Sequence, residues 1–248
     1  LLNKQEDCLG LIALICLNLT INNYILIKII IFLFFSSSIF SQPAEKNDSI
    51  LFSQMLELYH DEFQAKSEAD FNLGNHNSTN NYFDSLVSHK LKGTILDNFR
   101  VYSINNKINH LYDFKKPLYI MSYASWCVPS NGETEALKQL IDTHGDWMDF
   151  VLIMWDTKED AILFSKQFHT KIKVLYVDEL YNTETKTIKM LKHKLGLPIS
   201  ITLSQDKTIL NIRSNKQVHP SVDEEIATKI CLKSMKKDIL DLKKYENL

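Results

Sequence analysis

The six glycines of this chain are scattered, and none forms a Gly-rich turn between a strand-like run and a helix, so no phosphate cradle for a nucleotide is legible. Charge of either sign is no more concentrated. The 28 Lys and Arg nearly balance the 30 Asp and Glu, leaving a formal net charge of −2. With no global positive field and no basic helix interleaved with exposed aromatics, a nucleic-acid partner is excluded. The eight histidines neither gather around cysteine nor recur four apart, which argues against a metal site, and no other cofactor is expected. Four cysteines in 248 residues fall well short of a disulfide-stapled small domain.

An uninterrupted membrane-length apolar run is missing too. Residues 1–41 carry two apolar bursts, LGLIALICLNL and ILIKIIIFLFF, broken by Asn22, Asn23 and Lys28. A mid-bilayer lysine costs roughly 2.5–3.5 kcal/mol on insertion scales, so a cleaved export signal fits better than a span. Lys28 closes a positive region, IIIFLFF is its apolar core, and Ser36 and Ser38 have the small-residue spacing of a cleavage site. If the leader is retained instead, it attaches the chain to a membrane. Cleavage removes Cys8 and Cys16 and leaves only Cys127 and Cys231. Sequons at Asn18, Asn47 and Asn77 matter only in a eukaryotic secretory route.

After the leader, residues 42–90 read as a tether, a helix and a polar loop. The helix covers 50–66, with Ile50, Leu51, Met55, Leu58 and Phe63 on one face, and the Asn- and Ser-rich stretch after it reads as loop. Residues 91–248 read as the main domain. NFRVYSINNKINHL suggests a hairpin that covers a sheet edge, while KPLYIMSYA and DFVLIMWD are continuous apolar runs typical of strands buried on both faces. The intervening helix uses Ala136, Leu137, Leu140 and Ile141 as its core face and stops at His144–Gly145. A helix packing Ala161, Ile162, Phe164 and Phe168, a strand in KIKVLYVDE, a short helix ending at Gly196 and the hairpin PISITLS/TILNIRS follow. The last helix opens on a capping box of Ser221 with Glu224 and turns Ile226, Ile230, Met235, Ile239 and Leu242 inward. This order predicts an α/β fold with one mixed sheet covered by helices on both faces.

In SYASWCVPSNGE, Cys127 falls where a central strand yields to a helix. The free N–H groups and dipole of a helix start favour thiolate. A fall in pKa from about 8.5 to about 6.5 raises the thiolate fraction at pH 7 about 25-fold, yet a Brønsted slope near 0.45 returns about 8-fold of that. The net gain is about threefold, so exposure and substrate placement must decide the reactivity.

KKPLYIMSYASWCVPSNGE, with Leu197–Pro198 some seventy residues later ahead of a hairpin, resembles the thioredoxin-like superfamily. It is closest to the exported thiol-disulfide oxidoreductases of the TlpA and ResA type. The resemblance covers about 91–215, with the last helix as a continuation, and rests on Ala124, Ser125, Trp126, Cys127, Pro129 and Glu133. It implies the thioredoxin-like fold and residence in the bacterial periplasm or cell envelope. It also implies a cis Leu197–Pro198 bond abutting Cys127, with backbone groups beside it free to pair with a substrate strand. Trp126 is then a flat shoulder beside the sulfur, Pro129 sits in the first helical turn, and Glu133 is a partly buried acid exchanging protons with a thiol.

The departures carry as much weight. Ser130 stands where the resolving cysteine of that family belongs, leaving it only a hydrogen bond to donate to the Cys127 thiolate. Met121 replaces a buried Asp or Asn, and Glu135 a helix-kinking proline. Cys231, about ten residues into the last helix, lies about 13–15 Å along it from the end nearest Cys127, too far for a disulfide and suited to a buried apolar role. The expected function is monothiol exchange or isomerisation on protein disulfides or oxidised thiols, with an external thiol reductant freeing Cys127. The contrasting expectation is a redox-inactive peptide or protein binding module. A peroxidase is disfavoured because Arg100 and Arg213, the only arginines, lie outside the cysteine turn.

Overall fold

The computed structural model describes residues 50–248 except 76–77, 106, 182–184 and 215–217, and omits the side chains of 78–80 and 108. The leader reading, Cys8, Cys16 and all three sequons lie outside the described residues. In chain order the elements are α1 (Phe52–Asn72), α2 (Ser78–Leu86, running into a π-helical turn Val87–Leu91), β1 (Arg100–Ser103), β2 (Ile108–His110) and β3 (Leu118–Tyr123). There follow α3 (Glu133–His144), β4 (Asp149–Met154), α4 (Lys158–Ser165), β5 (Lys173–Tyr176) and α5 (Thr185–Ile188, continuing as π-helical Lys189–Lys194). The chain closes with β6 (Ile199–Leu203), β7 (Ile209–Ser214) and α6 (Glu224–Glu246). Among the described residues no helix is long and apolar enough to cross a membrane.

Seven strands form one mixed sheet in the order β2-β1-β5-β4-β3-β6-β7. The centre, β5-β4-β3, is parallel; β6, β7 and the β1–β2 pair run antiparallel to their neighbours. Every residue of β3 and β4 is buried, because helices cover both faces. The two-residue period of β3 divides its side chains: Leu118 and Ile120 enter a core with α1, α2 and α5, and Tyr119, Met121 and Tyr123 enter one with α3, α4 and α6. At the β7 edge, the segment before β1 supplies partial cover. Gly93 N–H bonds to Ile209 O at 2.8 Å, Ile209 N–H to Thr94 O at 2.8 Å and Leu96 N–H to Lys207 O at 3.0 Å.

Several local expectations are corrected. The first helix runs on to Asn72 through the stretch read as loop, carried by i,i+4 pairs Glu62–Lys66 (2.6 Å) and Gln64–Glu68 (2.8 Å). Its inward face is Phe52, Leu56 and His60, while Ile50 and Leu58 are exposed, because Phe52 and Leu56 meet the sheet core. His60 finds Lys194 O at 3.1 Å, which gives the buried ring a polar partner. In α4, Ala161 is buried but Ile162 faces solvent.

The last helix is capped by Asp223, whose carboxylate accepts from Glu225 N (2.9 Å) and Ile226 N (3.3 Å), and not by the Ser221–Glu224 box. Ile226 and Ile230 point outward, and the buried stripe is Ala227, Thr228, Met235, Asp238, Ile239 and Leu242. Close approach of α6 to Gly132 sets that register. A Cβ at Gly132 would stand 2.3 Å from Thr228 N, so small residues of α6 must face the loop. Farther along, Arg213 and Asn211 of β7 bond the buried Asp238 carboxylate, the latter at 2.8 Å, and hold a polar residue inward where hydrophobic periodicity expects none.

Candidate active site

Because β3 and β4 are parallel, with Tyr123 opposite Met154, the residues just beyond both strands meet at one end of the sheet. Ser125 is held there by Asp156, through its N–H at 2.7 Å and its hydroxyl at 2.9 Å. Antiparallel β6 begins at that same end. Ser122 pairs with Ile199, and the Leu197–Pro198 bond just before Ile199 is cis. The cysteine turn and the prolyl bend therefore share one end of the sheet.

The turn closes tightly on itself. Cys127 N–H donates to Ala124 O at 2.9 Å, and Ala124 N–H points at Cys127 Sγ at 3.5 Å. Only 7% of Cys127 is exposed. Its neighbours Trp126 and Val128 are 68% and 72% exposed, so Trp126 stands in solvent.

The thiolate expectation is also corrected. Burial pushes the Cys127 thiol up, the Ala124 N–H lowers it, Asp156 raises it further and Lys192 draws it back, with a net rise. α3 begins only at Glu133, six residues after Cys127, so the sulfur does not sit in the first turn of the helix. Pro129 accordingly lies in the irregular segment ahead of the helix and not in its first turn. Gly132, at φ 74°, turns the chain into α3 in a conformation that costs glycine little.

Glu133 is buried at the first position of α3. It accepts from the Tyr123 hydroxyl at 2.6 Å and from Ser130 N–H at 2.8 Å, and burial raises its pKa against those two bonds. The thiol whose ionisation this carboxylate opposes is Cys231. Ser130 is buried as well, and its hydroxyl accepts from Val218 N–H at 2.7 Å and lies beside Cys231, whose thiolate it supports. No hydrogen bond to the Cys127 sulfur is among its bonds, since 127–130 is not helical and does not bring residue i+3 back to i as a helix does.

The half-buried Cys231 thiol points at Asn131 O at 3.6 Å, where α6 lies against the loop. Burial raises its thiol too. Met121 is packed in the core beneath the turn, and Glu135 pairs loosely at the surface with Lys138.

The structure thus gathers Trp126, Cys127, Pro129, Ser130 and Glu133 in one loop, with Leu197 and Pro198 at the same sheet end, yet separates Cys127 from Ser130 and Glu133 by their bonding partners. Asp156, Tyr123, Val218 and the placement of Cys231 escaped sequence reasoning. Asp156 had a signal: it follows a strand parallel to the one that leads to Cys127, and the C-terminal ends of parallel strands converge.

A parallel β3-β4-β5 core, an antiparallel hairpin at its flank, helices on both faces and a cis proline opening β6 make this a thioredoxin-like α/β fold. No family model and no curated protein matches the chain. Among solved structures it is similar to the thioredoxin domain of a thiol-disulfide oxidoreductase from Bacteroides vulgatus, at 13% identity over 59% of this chain and 96% of that one, with a TM-score of 0.46. It is also similar to a thio-disulfide isomerase from Thermus thermophilus, at 16% identity over 60% of this chain and 96% of that one, TM-score 0.45. A likeness of this degree says nothing of this chain's reaction.

Proposed function

We propose that this chain is an exported thioredoxin-like protein of the periplasm or cell envelope that acts through Cys127 on protein disulfides or oxidised thiols. Cys127 thiolate attacks one sulfur of an exposed disulfide and expels the other as thiolate, leaving a mixed disulfide that a further thiol must release. The observation that carries this reading is the Cys127 thiol, flanked by exposed Trp126 and Val128, at the sheet end that also holds the cis Leu197–Pro198 bend. An extended substrate segment laid beside that bend pairs through its backbone, and Trp126 and Val128 offer it apolar contact.

The test is insulin reduction by the full chain with a small thiol, comparing Cys127→Ala with wild type and reading adducts by intact mass. Faster turnover and a Cys127-linked adduct in wild type alone support the reading; equal turnover with no adduct ends it. A second reading, a redox-inactive peptide or protein binding module, is favoured by one observation, the thiol held above its ordinary range by burial and Asp156. The same equal-turnover result selects it.

A further inference from the structure

We infer that Asp156 is a positioning residue for Cys127: its carboxylate clasps Ser125 and fixes the turn that presents the sulfur to a protein disulfide beside the cis Leu197–Pro198 bend. The inference rests on the thiol-exchange reading of Cys127 and names the residue through which the fold aims that thiol.

Three observations carry it. First, a four-residue turn places the sulfur. Cys127 N–H donates to Ala124 O at 2.9 Å across Ser125 and Trp126, and Ala124 N–H points back at Cys127 Sγ at 3.5 Å. Whatever fixes the middle of this turn therefore fixes the sulfur.

Second, that middle has little packing of its own. Ser125 and Trp126 are both exposed, so apolar burial does not hold them. Asp156 takes both donors of Ser125, the N–H at 2.7 Å on one carboxylate oxygen and the hydroxyl at 2.9 Å on the other. Two charge-assisted bonds to one residue fix its orientation as well as its distance.

Third, Asp156 is itself anchored. The parallel ladder of β3 and β4 continues one residue past the strands, with Trp155 N–H on Tyr123 O at 3.0 Å, and the Trp155 indole N–H donates to the buried Ser122 hydroxyl at 2.7 Å. Asp156 is the next residue along. Its side chain takes over from the backbone ladder where Ala124 and Ser125 leave the sheet.

Exchange with a protein disulfide needs the attacking sulfur in line with the bond it breaks, and a segment paired beside the prolyl bend cannot follow a wandering thiol. A small alkylating reagent needs only access. Loss of the clasp therefore helps the small reagent and hurts the protein substrate, whereas a residue that merely stabilised the fold would move both the same way. Charge supplies a second readout. Among the described residues the charges acting on the sulfur are Asp156, after β4, and Lys192, from the π-helical turn after α5, which pairs with Glu179. Glu133, in the following loop, is engaged by Tyr123 and Ser130. Neutralising Asp156 removes the anion that opposes thiolate, so the alkylation profile moves to lower pH.

The full chain, Asp156→Ala and Asp156→Asn are compared in two assays: iodoacetamide alkylation of Cys127 across its titration, read by peptide mapping, and insulin reduction with a small thiol. Asp156→Ala is expected to alkylate about threefold faster or more, and to lose about tenfold in insulin turnover. Asp156→Asn, which still accepts from Ser125 N–H, is expected to recover most of that turnover while its alkylation profile shifts to lower pH. Both assays moving in the same direction in Asp156→Ala, or neither moving by more than about twofold, overturns the inference. A wild type with no insulin turnover ends the thiol-exchange reading, and the alkylation contrast still decides whether Asp156 holds the turn. Should Asp156→Ala fail to fold, Ser125→Ala, which removes only the 2.9 Å hydroxyl bond, must show the same split at smaller amplitude or the inference falls.

Discussion

The two faces of the sheet differ in kind. The α1–α2–α5 face packs Phe52, Leu56, Leu118, Ile120, Val151 and their neighbours, and its buried histidine, His60, bonds Lys194 O. The α3–α4–α6 face holds both sulfurs and borders the buried Glu133, Asp238 and Tyr119 hydroxyl. Apolar burial contributes roughly 1.5–3 kcal/mol per large side chain, whereas a buried ionisable group costs unless it is paired. One face therefore stabilises the fold, and the other spends part of that stability to hold reactive groups away from water.

The contrast is sharpest where side-chain carbons are removed from the α1–α2–α5 face. Leu56→Ala is expected to cost about 2–5 kcal/mol in chemical denaturation, with the alkylation rate of Cys127 in the folded protein unchanged. A loss under 1 kcal/mol breaks the comparison.

On the polar face the expected signature is a pH slope. The folded pKa of Glu133 is raised above its ordinary 4.5. Below that value both folded and unfolded forms are protonated and there is no penalty. As pH rises through it, the unfolded chain ionises first, so this group's contribution to stability falls until the folded carboxyl ionises too. Thermal unfolding of wild type and Glu133→Gln across this range should show the wild type losing ground with rising pH. A flat difference refutes the assignment of a raised pKa.

The smallest expected effect is Tyr119→Phe. Removing a buried hydroxyl that makes no good hydrogen bond should leave stability within about 0.5 kcal/mol of wild type or improve it slightly. A loss above 1 kcal/mol means that the hydroxyl is bonded.

Much of this was legible in sequence. The apolar runs fixed β3 and β4, the periodicity of Ala136, Leu137, Leu140 and Ile141 gave the buried face of α3, and the Trp-Cys-x-Pro pattern located the turn. What escaped is the backbone path between Cys127 and Glu133. A proline two residues after the cysteine suits a helical first position, but α3 starts only at Glu133, after Gly132, whose left-handed conformation and contact with α6 are tertiary facts. Misplacing that start by six residues carried with it the pKa direction of Cys127 and the partner of Ser130. The face of α6 was lost for a related reason. Isoleucines outrank alanine and threonine in any hydrophobic count, yet only small residues fit against the loop at Ala227 and Thr228.

The hydrogen bonds from residues 93–96 to the rim of β7 have a bearing on solution behaviour. An unguarded outer strand offers a row of open amides and carbonyls to any neighbouring copy. Here one flank ends in a three-residue strand and the other is partly strapped by its own chain. Edge-to-edge stacking into fibres therefore finds little purchase.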